Sequence, residues 1–377
     1  MLKYFPTIKR KVCAEITTVP DVLKGGYYQP IDGLRGIAIL LVLAYHFGGN
    51  HFVKPLGIHF ESRTGVNLFF VISGFLITTL LIKEKIKNGK ISMRHFFIRR
   101  AIRIIPVLYL FLTVLIGLTL YYHLKVSTSD WISSFLFLKN LPLKTSNHPL
   151  TAHLWSLAVE MQFYIIFPFL LAVNINRYFI IALSIIIVVP SLSIFGCYYG
   201  GLHQLPFFIR FIIKISMYAF WNGPVMILIG SVFSILLFKG MLKTDWTAKA
   251  YVIGIVLFVM AIIIPSRAFI YYHKYISEYV SVLLLGYCTA LSISSRDFLT
   301  TILKNRFLVG LGIISYSIYI WQELFIGTRP WEPWLSFWKG YPLYIFGILK
   351  LVCMLLIAFI SYYFYESRFL NWKKRFK

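Results

Sequence analysis

Residues 31–49, IDGLRGIAILLVLAYHFGG, place Arg35 and His46 eleven positions apart in an otherwise apolar run, with Asp32 near its start. Eleven helical steps return to within about 20° of the starting direction while rising about 16 Å, so the two side chains share one face at different depths. An ionisable side chain in a membrane helix costs on the order of 2.5–3.5 kcal/mol on insertion scales, so such residues mark functional sites by default. Alone, Arg35 reads as a side chain snorkelling to headgroups and His46 as a hydrogen-bonded core residue; their shared face argues for a common path. Glu160 lies in HLWSLAVEMQFYIIFPF, shortly after Trp155 and Ser156, in a segment that runs the opposite way through the membrane. That places it at roughly the depth of His46. A carboxylate beside an imidazole fixes its tautomer and raises its basicity, as in a general base. The other reading of Glu160 is a structural residue that closes a helix contact.

Arg100 and Arg103 stand at i,i+3 in KEKIKNGKISMRHFFIRRAIRIIP, just before Pro106. On one helix face, their neighbouring guanidinium forks suit phosphate oxygens. The rest of that basic stretch reads as a topological or lipid-binding charge cluster. Ser73 and Gly74, in GVNLFFVISGFLITTLL, fall near the middle of their segment, where small residues permit close helix packing or line a tunnel. Glu323 and Lys350 are further ionisable groups within apolar runs. His51, His59, His123, His148, His153, His203 and His273 fall in or near connections and helix ends, where a solvated or interfacial role is expected.

These groups must be positioned by membrane helices. The chain is 59% hydrophobic and 18% aromatic, with a mean hydropathy of +0.75. Its repeated apolar runs are long enough to cross a hydrocarbon core of about 30 Å, and they lack the alternation of barrel strands. The expected fold is an all-α membrane protein, a polytopic bundle of about ten transmembrane helices near 31–49, 65–83, 104–123, 157–173, 178–198, 218–238, 250–266, 278–294, 309–326 and 343–364.

The net charge of +25 would suggest nucleic-acid binding in a soluble protein. Topology accounts for it instead. With an even number of spans, 25 of the 38 Lys and Arg residues fall on the side shared by the two termini and 11 on the other. Cytoplasmic loops hold the excess, so both termini are expected in the cytoplasm and no nucleic acid is expected as a partner. The four cysteines are scattered and suggest no metal site or disulfide framework. Residues 1–28 read as a polar cytoplasmic extension without a signal-peptide pattern, 29–368 as one membrane domain and 369–377 as a basic cytoplasmic tail. Within the long external connection, WISSFLFLKNLPL is too short to cross and reads as re-entrant or interfacial. LPFFIRFIIKISMYAF, before the sixth span, reads similarly or as part of a differently drawn helix.

Taken together, Arg35 with His46, FFVISGFL, RRAIRIIP, LWSLAVEMQFY and ISYSIYIWQ resemble the acyltransferase 3 family of integral-membrane acyltransferases, known chiefly for O-acetylating bacterial cell-surface glycans. The resemblance runs from about Gln29 to Arg368. It implies a multi-pass protein of the bacterial inner membrane that takes an acyl group from cytoplasmic acyl-CoA, usually acetyl-CoA, with no metal. The acceptor would be a hydroxyl on an extracytoplasmic polysaccharide, lipopolysaccharide unit or lipid-linked glycan, with membrane lipids as surroundings. Carried over, His46 is the catalytic base, or the acyl carrier of a covalent relay; Glu160 orients His46 or the acceptor. Arg35, Arg100 and Arg103 would hold the CoA phosphates. Asp32, Ser73, Trp155, Ser156, Tyr316 and Gln322 would line the substrate path or support it. Two departures stand out: Gln322 replaces a common His and cannot exchange a proton at neutral pH, and Arg368 stands where Pro is frequent, so Glu366 receives no role. The soluble hydrolase-like domain fused to some relatives is not expected here. The competing reading is a proton-coupled transporter or glycan exporter using Arg, His and Glu as a relay; a membrane scaffold without chemistry is a third.

Overall fold

Apolar segments in lipid must satisfy their backbone internally, which favours helices. The computed structural model describes residues 11–49, 53, 55, 61–141, 148–198, 202–217, 221, 223–242, 252–265, 267–294, 298–327, 329–331 and 343–372, and among these it contains helices and no strand. The helices are α1 Gln29–His46, α2 Ser62–Asn88, α3 Met93–Tyr121, α4 Thr128–Phe135, α5 Leu154–Val173, α6 Ile175–Tyr198, α7 Phe207–Ile215 and α8 Pro224–Phe238. They continue with α9 Ile253–Ile263, α10 Arg267–Ser294, α11 Phe298–Leu303, α12 Arg306–Trp321, α13 Leu343–Ile360, a π-helical turn Ser361–Glu366 and α14 Ser367–Trp372. The leader's first ten residues, the tail beyond Trp372, His51 and His59 lie outside the described residues.

Each of the ten expected spans overlaps a described helix, but among the described residues seven helical segments, not ten, are long and apolar enough to cross a membrane. The segments built on α1, α8 and α9 are not among the seven. In α1 the cause is chemical, because Gln29, Asp32, Arg35 and His46 dilute its apolar run. In α8 and α9 it is length, 15 and 11 residues. The short α8 is nonetheless central, with most of its side chains buried by protein.

The core is a layered stack in which α1 packs between α12 and α2, and α2 packs in turn on α8. Glycine sets the closest approaches. A Cβ at Gly74 on α2 would lie 1.8 Å from the Ile227 carbonyl oxygen of α8, and one at Gly312 on α12 would lie 1.8 Å from that of Asp32 on α1. Hydroxyls then bond across the α2–α8 seam: Thr78 donates to Ser231 at 2.7 Å, and Thr79 and Ser234 are 2.8 Å apart. Small residues and hydroxyls are what a bundle needs where lipid supplies no hydrophobic drive between helices. By contrast, α3, α6 and α13 keep many large apolar side chains exposed, as faces turned to acyl chains would be.

Polar residues fasten the connections. Lys83 donates to the carbonyls of Leu23 and Gly25, both at 2.7 Å, and Lys239 to those of Val12 at 2.9 Å and Ala14 at 2.6 Å, so these two lysines hold the leader against the bundle. Between α3 and α5, a buried Asp130–Lys139 ion pair closes the connection, and Asp130 also accepts from Ser127 at 2.7 Å. Burial keeps the His148 imidazole below its ordinary pKa, opposed by the charge of Asp130. WISSFLFLKNLPL begins within the short helix α4, and α7 is a separate amphipathic helix with Phe207, Phe208 and Phe211 exposed.

Candidate active site

A cavity of about 90 Å³ opens where α1, α2, α3, α5 and α12 meet. Arg35 reaches it from the second turn of α1, and Arg100 and Arg103 from α3 after its Ser92 N-cap. Ser73 enters from α2, Ser156, Glu160 and Tyr164 from α5, and Tyr316 and Tyr319 from α12. Phe69, Phe70, Leu76 and Ile77 supply an apolar wall. Three guanidinium groups thus face one carboxylate in a largely apolar chamber.

Glu160 anchors this chamber. Ser73 Oγ donates to Glu160 Oε1 at 2.5 Å, and the Tyr164 hydroxyl donates to the same oxygen. Its Oε2 takes no hydrogen bond from a described residue. Arg100 lies 5.4 Å from the Tyr164 ring centroid and 5.7 Å from that of Phe96, within cation–π range, while its buried Nε makes no hydrogen bond to a described residue. Arg99, on another face, pairs with Glu84 at 2.8 Å. Arg35 stands 3.6 Å from Asp32 and within electrostatic reach of Arg103, Glu160 and Glu366.

The structure therefore brings Arg35, Arg100, Arg103, Glu160, Ser73, Ser156 and Tyr316 to one cavity. Tyr316 donates to the Ile104 carbonyl at 2.8 Å and so ties α12 to α3. Trp155 does not line the cavity but packs edge-on against Phe70, with ring centroids 6.0 Å apart. His46 sits in the last turn of α1, away from the cavity lining, against Tyr45. Among the described residues no hydrogen bond joins His46 to Glu160. Gln322 is 1% exposed in the 3₁₀ turn after α12, and its Oε1 has no hydrogen-bond partner among the described residues.

Several residues of the site carry little signal in the sequence. Tyr164 and Tyr319 lie in the same motifs as Glu160 and Tyr316, and the i,i+4 spacing from Glu160 to Tyr164 is the signal for the first. His153, expected to be solvated or interfacial, is instead buried at 7% exposure between Phe111 and Tyr319, whose ring centroids lie 5.5 and 5.7 Å away. Glu366 is buried, accepts from Ser317 at 2.6 Å and lies within electrostatic reach of Arg103 and Arg35.

The family model described as an acyltransferase domain matches residues 28–365. Over 372 aligned residues the chain is 27% identical to the O-acetyltransferase OatA of Staphylococcus aureus strain NCTC 8325 / PS 47, covering 90% of this chain and 57% of that protein. Over 165 residues it is 36% identical to the peptidoglycan O-acetyltransferase OatA of Listeria monocytogenes serovar 1/2a, covering 39% of this chain and 24% of that protein. The chain thus spans little more than half, or less, of the length of these curated relatives. No solved structure matches it.

Proposed function

This chain belongs to the acyltransferase domain family, and on that premise we propose that it carries an acetyl group from cytoplasmic acetyl-CoA to a hydroxyl of a cell-envelope glycan. The observation that carries the reading is the convergence of Arg35, Arg100 and Arg103 on one apolar-walled cavity. A phosphate-bearing thioester with a long, narrow arm calls for that combination: guanidinium forks for the phosphates and an apolar passage for the arm. A proton relay has no need of three neighbouring guanidinium groups. The bias of Lys and Arg toward the side of both termini supports a cytoplasmic location for them, in a bacterial inner membrane. In that orientation the donor enters from the arginine end, and His46 meets the acceptor on the other side.

In the proposed reaction the acceptor oxygen attacks the thioester carbonyl carbon as the hydroxyl proton passes to His46. The carbon–sulfur bond breaks, and the departing thiolate takes that proton from His46, which returns to its neutral form. Glu160, held by Ser73 and Tyr164, orients the acceptor with its remaining oxygen. A two-step course through an acyl-imidazole on His46 uses the same groups, and intact-mass detection of an acylated protein separates the two. The acceptor named for the Listeria relative makes peptidoglycan the first glycan to test.

The test is mass spectrometry of envelope glycans from cells carrying wild-type protein, His46→Ala or an empty vector. Wild type should add an acetyl mass that both controls lack. No added mass in any glycan fraction, or full activity in His46→Ala, would remove the assignment.

A further inference from the structure

The cavity differs from end to end, and contacts between its helices show how. Arg100 lies over the Tyr164 ring and Tyr316 donates to the Ile104 carbonyl, so Tyr164 and Tyr316 share the level of the α3 arginines. Arg35 turns back toward the first turn of α1, where Asp32 is 3.6 Å away. Ser73 and Glu160 meet in the middle, 2.5 Å apart. About one turn from Ser73 along α2, Phe69 packs edge-on against Tyr319 with ring centroids 6.3 Å apart, and Phe70 against Trp155 at 6.0 Å. The end opposite the α3 arginines is therefore walled by Val66, Phe69, Phe70 and Leu157.

The polar groups at this end are already engaged. Ser156 Oγ and the Tyr319 hydroxyl lie 2.6 Å apart, and both reach the His153 carbonyl, at 3.2 and 3.0 Å. What faces the cavity there is apolar. Phe70 closes it: the ring is 3% exposed, and besides Trp155 it is approached closely by Gly223. A Cβ at Gly223 would lie 3.1 and 3.2 Å from two atoms of that ring and 2.7 Å from Val159 Cγ1. With protein packed behind it, the ring has little room to withdraw. This end also lies toward His46. Gly65, beside Val66, faces α1 so closely that a Cβ there would lie 2.7 Å from Val42 Cγ2, and Val42 is one helical turn short of His46.

An acyl-CoA carries its phosphates at one end and its acyl carbons at the other, with the thioester beside the latter. We propose that the apolar end of the cavity receives the acyl carbons and that Phe70 limits their number, admitting an acetyl group and turning away longer straight chains. This rests on the acyl-transfer reading and names a residue that sets its donor specificity. Further carbons on the chain need space that the Phe70 ring fills, and a well-packed wall yields to added methylenes only with strain. A single methylene in such a pocket discriminates about tenfold to two-hundredfold.

The test uses full-length protein in nanodiscs, soluble peptidoglycan fragments as acceptor, and acetyl-, propionyl- or butyryl-CoA as donor, with the added acyl mass measured over time. Wild type should favour acetyl-CoA over butyryl-CoA about a hundredfold in kcat/KM, with propionyl-CoA between them. Phe70→Ala should bring that ratio to about tenfold or less, and Phe70→Leu should move it part of the way. The ratio is the readout because a partly unfolded sample lowers the rate with every donor alike. If Phe70→Ala does not fold, Phe70→Leu decides by the same ratio. Wild type that uses butyryl-CoA as readily as acetyl-CoA, or folded variants that keep the wild-type ratio, would overturn the proposal. Wild type that transfers no acyl group from any of the three donors overturns the acyl-transfer reading and this role together; transfer with unchanged ratios overturns this role alone.

Discussion

In the proposed reaction donor binding rests on Arg100 and Arg103, and the Arg100 guanidinium lies near two aromatic rings with one buried nitrogen not bonded to any described residue. Hydrogen bonds to charged groups contribute about 1.5–3 kcal/mol. Arg100→Ala or Arg103→Ala should therefore weaken acetyl-CoA binding about tenfold or more while leaving membrane insertion intact. Isothermal titration checks this, and unchanged affinity in both variants would return the arginines to a topological role. Glu160→Gln keeps the size of the side chain and removes its charge, so it should retain the fold and lose transfer, read as kcat against thermal stability. The i,i+3 spacing of Arg100 and Arg103 made their shared face legible in the sequence. His153 was not legible, because its burial depends on Phe111 and Tyr319, distant along the chain. Ser73 was legible only as a small residue at mid-segment; its donation to Glu160 crosses from α2 to α5.

At the scale of helices, close packing of α1 on α12 and of α2 on α8 sets the cavity's shape. Gly74→Ala and Gly312→Ala each drive a Cβ into a carbonyl oxygen at 1.8 Å and should lower stability by at least the 1–3 kcal/mol typical of overpacking. Gly117→Ala on α3 meets nothing within 4 Å and should leave the melting temperature unchanged or slightly raised. A common fall in all three would contradict the packing account. Apolar runs made the expected spans legible as helices, but not which helices are central. The 15-residue α8 lies in the middle because its Gly230, Ser231 and Ser234 admit close neighbours, whereas the longer α3 keeps much of its surface exposed. Of the two readings of LPFFIRFIIKISMYAF, the separate short piece is the one found as α7, and Gly223, at φ 130°, stands immediately before α8.

Across the whole molecule, charge asymmetry and the arginine cavity together give the proposed reaction its direction. Cys13 lies in the leader and Cys197 at the far end of α6, and both are exposed. A membrane-impermeant maleimide should label Cys13 in spheroplasts only after permeabilisation; labelling of Cys13 in sealed spheroplasts would invert the topology. Lysines that read as topological charge also have local partners, since Lys83 and Lys239 bind leader carbonyls, a role no charge count reveals. The central claim is transfer across a membrane. Its most direct test is a proteoliposome with acetyl-CoA trapped on the side of the termini and a soluble peptidoglycan fragment on the other. Wild-type protein should add an acetyl mass to the fragment while His46→Ala adds none. Transfer only when donor and acceptor share a compartment, or none with wild type, would contradict the account.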